Sequence, residues 1–471
     1  MNLIKTLDIV FSKRSNYLLP SILIFIALVG SLFNDYALVF LLIGAYSFTV
    51  SIYGKNVLIA GSIITFLAVP SSISIEIRTL IQVFNFLLLF YLFIEKYGLE
   101  FHKYPRVPVI VSVFIGVFIS IILLSSLFSE YRTEGIVQLF RTIAFFILVY
   151  LYYSVVDSKD IKQIFSGSLF VIGFVYFIFL FYQLFLFDYN MIEMAITGLD
   201  VEKNTYINKN AIGIVFLIVI CLSLIEYLFR KDLLRYIYLI FFVLFFIGII
   251  LTTSRAAILS NFVAISIIFL YKYRWKFVYT FLVIIVTSLL IIFNTPLYDS
   301  LSTLFRFENL LSGRDFIWNV TSELISDNSF WGYGPAATKF YVYKSLPYLI
   351  GTPQEMWIAS KYDLVDYGFA HNFYLFMFTD LGFPGLLISI SLPFVYFKTL
   401  LRKNINNSPK INNEYRVLFF ALGVAFFVRG LFEWANMLSY GQILYDLPFW
   451  LIIVLLLHLT FKEEIDEQKI F

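Results

Sequence analysis

Runs of about 16 to 26 mostly apolar residues, separated by short polar links, recur along the whole chain. Backbone placed in hydrocarbon can satisfy its N–H and C=O groups only internally, so such runs read as membrane-crossing α-helices. The pattern predicts an all-α integral membrane protein with about fourteen spans, within a range of about twelve to fourteen. They fall at residues 17–33, 36–53, 56–72, 79–95, 107–128, 136–156, 164–187, 210–228, 236–252, 256–271, 277–293, 372–397, 417–433 and 441–460. The organisation expected is an N-terminal set of eleven helices over 1–293, a large loop over 294–370, and three C-terminal helices over 371–471.

The first run is followed by Asn34 and Asp35 without a small-residue cleavage site, so it reads as a retained anchor. Before it, Leu3, Ile4, Leu7, Val10 and Phe11 recur at helical spacing beside Lys5, Lys13 and Arg14, as in an interfacial helix. Most of the 34 Lys and Arg lie in the termini and in the links that share their side. Examples are Arg230-Lys231 and the Lys272–Lys276 link. Positive charge accumulates on the cytoplasmic side, which places both termini there and the large loop outside. That loop is patterned: Ile317, Val320, Leu324 and Ile325 form an amphipathic stripe, with Ser312 and Asp315 as an N-terminal cap. Trp331-Gly332-Tyr333-Gly334-Pro335 then breaks the helix. No internal repeat relates the two halves, which weighs against transporters built from duplicated bundles.

Composition narrows the class of function. With 61% hydrophobic and 14% charged residues and a mean hydropathy of +0.87, lipid is the main solvent. A net charge of +3, spread between apolar runs, argues against a nucleic-acid partner. One cysteine, Cys221, and three scattered histidines give no disulfide framework and no metal-ligand spacing; no cofactor is expected.

Charged groups at outer span ends carry a cost that structure or function must offset. Arg255 lies in Thr-Thr-Ser-Arg-Ala-Ala (252–257), where small neighbours let a ligand approach; snorkelling to the interface is the plain alternative. Arg314, in Ser-Gly-Arg-Asp (312–315), opens the amphipathic stripe, and a helix first turn together with a guanidinium favours an anion such as phosphate. A surface salt bridge is its alternative. His371 opens the span after the large loop and is a candidate proton acceptor, against the ordinary reading of a satisfied interfacial histidine. All three are expected on the outer side. Arg141, within a span, is either half of a buried pair or a second phosphate contact. Arg429 and Glu433 can pair at i, i+4, or contact substrate. Asp380 and Asp446 are costly in lipid, and Tyr333 and Trp331 either stack on sugars or anchor the interface.

The order of these motifs resembles the O-antigen ligase and O-antigen polymerase superfamily over roughly residues 205–390. Asn-Lys-Asn (208–210) opens a span, followed by Thr-Ser-Arg-Ala, Ser-Gly-Arg-Asp with a tryptophan after it, and Gly-Tyr-Gly-Pro. Ala-His-Asn and Asp-Leu-Gly-x-x-Gly (380–385) complete the series. The resemblance implies a membrane glycosyltransferase of GT-C-like architecture, acting outside the cytoplasmic leaflet of a bacterial inner membrane. It would act on oligosaccharide linked to undecaprenyl pyrophosphate, with inversion and without nucleotide sugar or catalytic metal. It further implies that Arg255 and Arg314 hold the pyrophosphate and that His371 activates the hydroxyl of a glycan acceptor. Partners expected beside membrane lipid are a chain-length regulator and a flippase. Polymerisation of O-antigen or capsular repeats is the leading expectation. Ligation of polymer to lipid A core is the alternative, and a lipid-linked oligosaccharide flippase or a scaffold the alternatives of other classes.

Overall fold

In the computed structural model, the described residues are 54–68, 75–186, 209–280, 283, 287, 314–345, 370–402 and 412–462. All regular structure among them is helical: α1 (Lys55–Ala68), α2 (Ile75–Tyr97), α3 (Val109–Phe128), α4 (Arg132–Val155), α5 (Ile161–Leu186), α6 (Lys209–Phe229), α7 (Arg235–Leu251), α8 (Arg255–Tyr273), α9 (Arg314–Asp327), α10 (Thr338–Ser345), α11 (Phe373–Leu401), α12 (Asn413–Gly430) and α13 (Ile443–Leu457). Eight helices among the described residues are long and apolar enough to cross a membrane, and α1 and α7 are shorter apolar helices. The chain is an all-helical membrane protein. The spans expected at 17–33 and 36–53, and most of 277–293, lie outside the described residues, as do the amphipathic segment before residue 17 and the cap residue Ser312.

The faces of these helices are sorted for lipid. In α3, Val111, Phe114, Phe118, Ile122 and Ser125 recur every three or four residues and are buried, while Val109, Val113, Val117 and Leu124 on the other face are exposed although equally apolar. Exposed valine and leucine along a helix of this length would carry a continuous penalty in water and none in hydrocarbon.

The chain forms two compact units. The first takes residues 1–105, 148–252 and 457–471. Here α6 and α7 pack on each other and on α5, and α5 packs on α1. Gly173 and Gly248 let Phe245 and Phe216 close against the neighbouring helices. Lys55 and Lys96 both pair with Asp157, at 2.9 and 2.7 Å. The second unit takes residues 106–147 and 253–456. There α3 and α12 pack on α11, α8 packs on α12, and α9 and α10 lie on α11. The described part of the large loop is therefore helical, as its patterning predicts, and is folded onto the span that follows it.

Two irregularities shape the second unit. At Gly382 the backbone turns to φ 66°, ψ −159°, which breaks α11 two residues before Pro384. After Gly430, α12 ends and residues 431–442 run as an irregular segment, buried almost throughout from Ala435 to Gly441. A continuous span to residue 433 is thus replaced by an earlier stop.

Candidate functional site

His371 is positioned by its neighbours. Ala370 O accepts a hydrogen bond from Trp318 Nε1 of α9 at 2.7 Å, and Asn372 caps α11, its Oδ1 accepting from the N–H groups of Tyr374 and Leu375 at 2.9 and 3.1 Å. Asn372 Nδ2 also donates to Leu431 O at 3.1 Å. Between these fixed points His371 takes φ 46°, a left-handed conformation rare for a side chain of its size. A residue over-determined in this way is held in place by its surroundings.

Arg314 is the first residue of α9. Its Nη2 donates to Glu433 Oε1 at 2.8 Å, and His371 Nδ1 lies 3.7 Å from Glu433 Oε2. The side chains of Arg314 and His371 are 22% and 23% exposed, whereas that of Glu433 is only 4% exposed. The arginine opening α9 and the histidine just before α11 therefore meet at one buried carboxylate. Burial by itself would raise the Glu433 pKa. The imidazole of His371 and the guanidinium groups of Arg314 and Arg429 outweigh burial and hold it down at about 2.

Arg429 is fully buried and gives its Nε to Asn436 Oδ1 at 2.9 Å. Glu433 stands beyond the end of α12; its oxygens face Arg314 and His371, and Arg429, four residues before it, also lowers its pKa. Arg255 is the first residue of α8, half-buried, behind a Thr253 with φ 52°. The ion pairs at Glu433 are those of Arg314 and His371. What relates Arg255 to this region is the packing of its helix on α12. Arg141 donates from Nε to Tyr440 O at 2.7 Å and from Nη2 to Ser439 O at 3.4 Å, so two of its nitrogens are held by backbone carbonyls.

The Trp331–Pro335 segment does more than turn the chain. Tyr333 N and Gly334 N donate to the carbonyls of Thr379 and Asp380 at 3.0 and 2.8 Å, and Phe383 N donates to Ser329 O at 2.8 Å. The segment is thus hydrogen-bonded to the backbone opened by the break in α11. Asp380, buried at the break, accepts from Ala336 N at 2.8 Å, Thr338 N at 3.1 Å, Tyr440 Oη at 3.0 Å and Thr338 Oγ1. Four donors explain how a carboxyl is tolerated there. Tyr333 packs its ring against Tyr341, with centroids 4.2 Å apart, and Trp331 stacks on Phe128 at 5.0 Å. Sequence reasoning marked Asp380 and Glu433 as costly, yet their partners lie 42 to 119 residues away and no spacing rule reaches them.

Among the described residues, no three His, Cys, Asp or Glu side chains are grouped as a metal site would need. The groups gathered at Glu433 are guanidinium cations, one imidazole and one carboxylate. Residues 240–390 match the family model described as O-antigen ligase, and this span includes Arg255, Arg314, Tyr333 and His371. No curated protein matches the chain.

Proposed function

Taking membership of the O-antigen ligase and polymerase superfamily as the premise, we propose that this chain is a membrane glycosyltransferase. It transfers an oligosaccharide from a lipid pyrophosphate, of the undecaprenyl type, to a hydroxyl of a glycan acceptor at the outer face of the bacterial cytoplasmic membrane. The observation that carries the reading is the meeting of Arg314 and His371 at Glu433.

The chemistry divides between them. The acceptor oxygen attacks the anomeric carbon with inversion, its proton passing to His371 Nε2, while the anomeric C–O bond breaks and its electron pair leaves on the pyrophosphate oxygen. A guanidinium matches that oxygen geometrically and stabilises charge growing on it, most strongly where water is scarce. Arg314 has one Nη2 tied to Glu433, which leaves the rest of its fork for phosphate. Arg255, whose helix is packed on α12, is proposed as the second pyrophosphate cation, with Arg141 as a further phosphate contact and Tyr333 stacking on a sugar face. The acceptor decides the biological role. Chain growth on a second lipid-linked repeat is the first reading; transfer to lipid A core is the second, and the description of the matched family favours it.

The test is reconstitution of the full chain in detergent or liposomes with undecaprenyl pyrophosphate-linked repeat units and a chelator. Elongation is expected without added metal, and His371→Ala or Arg314→Ala should lower it by at least about 100-fold with unchanged expression. Turnover only after lipid A core is supplied selects the ligase. Full activity of both variants removes the assignment.

A further inference from the structure

We infer that Glu433 is the positioning residue for the proton acceptor, fixing the His371 ring so that Nδ1 carries the hydrogen and Nε2 meets the acceptor hydroxyl. The inference rests on the transfer reaction proposed above and extends it to a residue that no motif assigns.

Three observations carry it. First, Glu433 divides its oxygens: Oε1 holds Arg314 and Oε2 faces His371 Nδ1. One carboxylate thereby sets the separation between the cation for the leaving group and the base for the nucleophile. Second, His371 Nδ1 is buried with no hydrogen-bond partner, while the ring as a whole is partly exposed. The Nε2 edge is thus the side a hydroxyl can reach. A separation of 3.7 Å closes to a hydrogen bond with a small side-chain adjustment, as hydrogen bonds at reacting sites do when substrate enters. Third, the backbone on both sides is already fixed, with His371 at φ 46° between Ala370 and the Asn372 cap. Only the ring remains to be oriented.

Among the described residues, the charged groups gathered with the imidazole are Glu433 of the 431–442 segment, which it faces, and the two cations acting on that carboxylate, Arg314 of α9 and Arg429 at the end of α12. Two of the three are cations, which oppose an imidazolium. Glu433 is the group that makes it tolerable when His371 takes the acceptor proton, and the proton stays on the ring. The role is that of the carboxylate that orients a histidine in a catalytic triad, performed here by a residue that also restrains a phosphate-binding arginine.

Two measurements on the full chain in detergent test this. In the first, the protein is labelled with nitrogen-15 histidine, and the His371 signal is assigned by its loss in His371→Gln. The neutral wild-type ring is expected as the Nδ1–H tautomer, and an Nε2–H tautomer overturns the inference without any Glu433 variant needing to fold. In the second, Glu433→Gln is assayed on the lipid-linked repeats used above. A fall in kcat of about 100-fold is expected, with KM within a few-fold and the acid limb of the pH profile moved to lower pH. Glu433→Asp, which keeps the charge, should recover at least about tenfold of the loss. Wild-type kcat in Glu433→Gln, or a loss with an unmoved acid limb and no recovery in Glu433→Asp, overturns the inference. An active His371→Gln alongside a wild-type Nδ1–H tautomer instead sinks the transfer reading and leaves the pairing intact.

Discussion

At Glu433 two opposing effects act on one carboxyl. Removal from water raises its pKa, and the His371 imidazole with the guanidinium groups of Arg314 and Arg429 lowers it further than burial lifts it, to about 2 against an ordinary 4.5. The sign of the stability effect follows. A group whose pKa is depressed on folding stabilises the fold at pH values above its unfolded pKa and loses that contribution as pH falls through its folded one. Glu433 should therefore contribute on the order of 3 kcal/mol that is intact near neutrality and disappears between about pH 4.5 and about pH 2. Asp157 behaves similarly: burial raises it, Lys96 and Lys55 hold it at about 2, and the wild-type slope contains both groups. Melting temperatures of the purified protein at neutral and acid pH give the comparison. The acid-induced drop should be smaller in Glu433→Gln than in the wild type, and an equal drop in both would show that the carboxyl is not held down in the fold.

At the scale of elements, the break in α11 is built from two glycines facing each other. Gly332 has φ 70° and Gly382 φ 66°, a region that L side chains enter at a cost of about 1–2 kcal/mol. A Cβ on Gly332 would run into the Gly382 nitrogen, and one on Gly382 into the Phe330 carbonyl. Both obstacles are backbone and cannot rotate away. Gly332→Ala and Gly382→Ala should each destabilise by more than about 2 kcal/mol, read as lost thermal stability, while Ser326→Ala on the exposed face of α9 should stay within about 0.5 kcal/mol. This pairing also marks where sequence reasoning stops. The spans were legible because lipid forces one answer on a long apolar run, and the helix at 314–327 was legible from its stripe. Gly-Tyr-Gly-Pro and Asp-Leu-Gly-x-x-Gly were visible as turn-forming segments, but their mutual hydrogen bonds join residues about 50 apart. The stop of α12 at Gly430 was missed by three residues because Leu431 and Phe432 continue the apolar run, and burial in protein, not exposure to water, is what lets the backbone after them leave the helix. The carboxylate shared by Arg314 and His371 was hidden for the same reason. Glu433 offered a local partner at Arg429, and the distant ones required the fold.

For the whole molecule, sidedness is the property on which the proposed chemistry depends, because a lipid-linked donor and its acceptor must be met on one face. From the distribution of Lys and Arg we expect the link between α6 and α7 in the cytoplasm and α9 outside. A simple labelling experiment can decide this, since the sequence has a single cysteine, Cys221, and it is buried in α6. Background reaction with a membrane-impermeant maleimide should therefore be low. Ser326→Cys on α9 and Lys231→Cys in the α6–α7 link both replace exposed residues, so accessibility within the fold does not separate them. In intact cells whose outer envelope has been opened, Ser326→Cys should react and Lys231→Cys should not, and permeabilising the inner membrane should make the two equal. If Lys231→Cys reacts first, Arg314 and His371 face the cytosol. The site would then meet nucleotide-activated sugars in place of finished lipid-linked repeats, and a guanidinium pocket for a lipid pyrophosphate would have no donor to receive on that side.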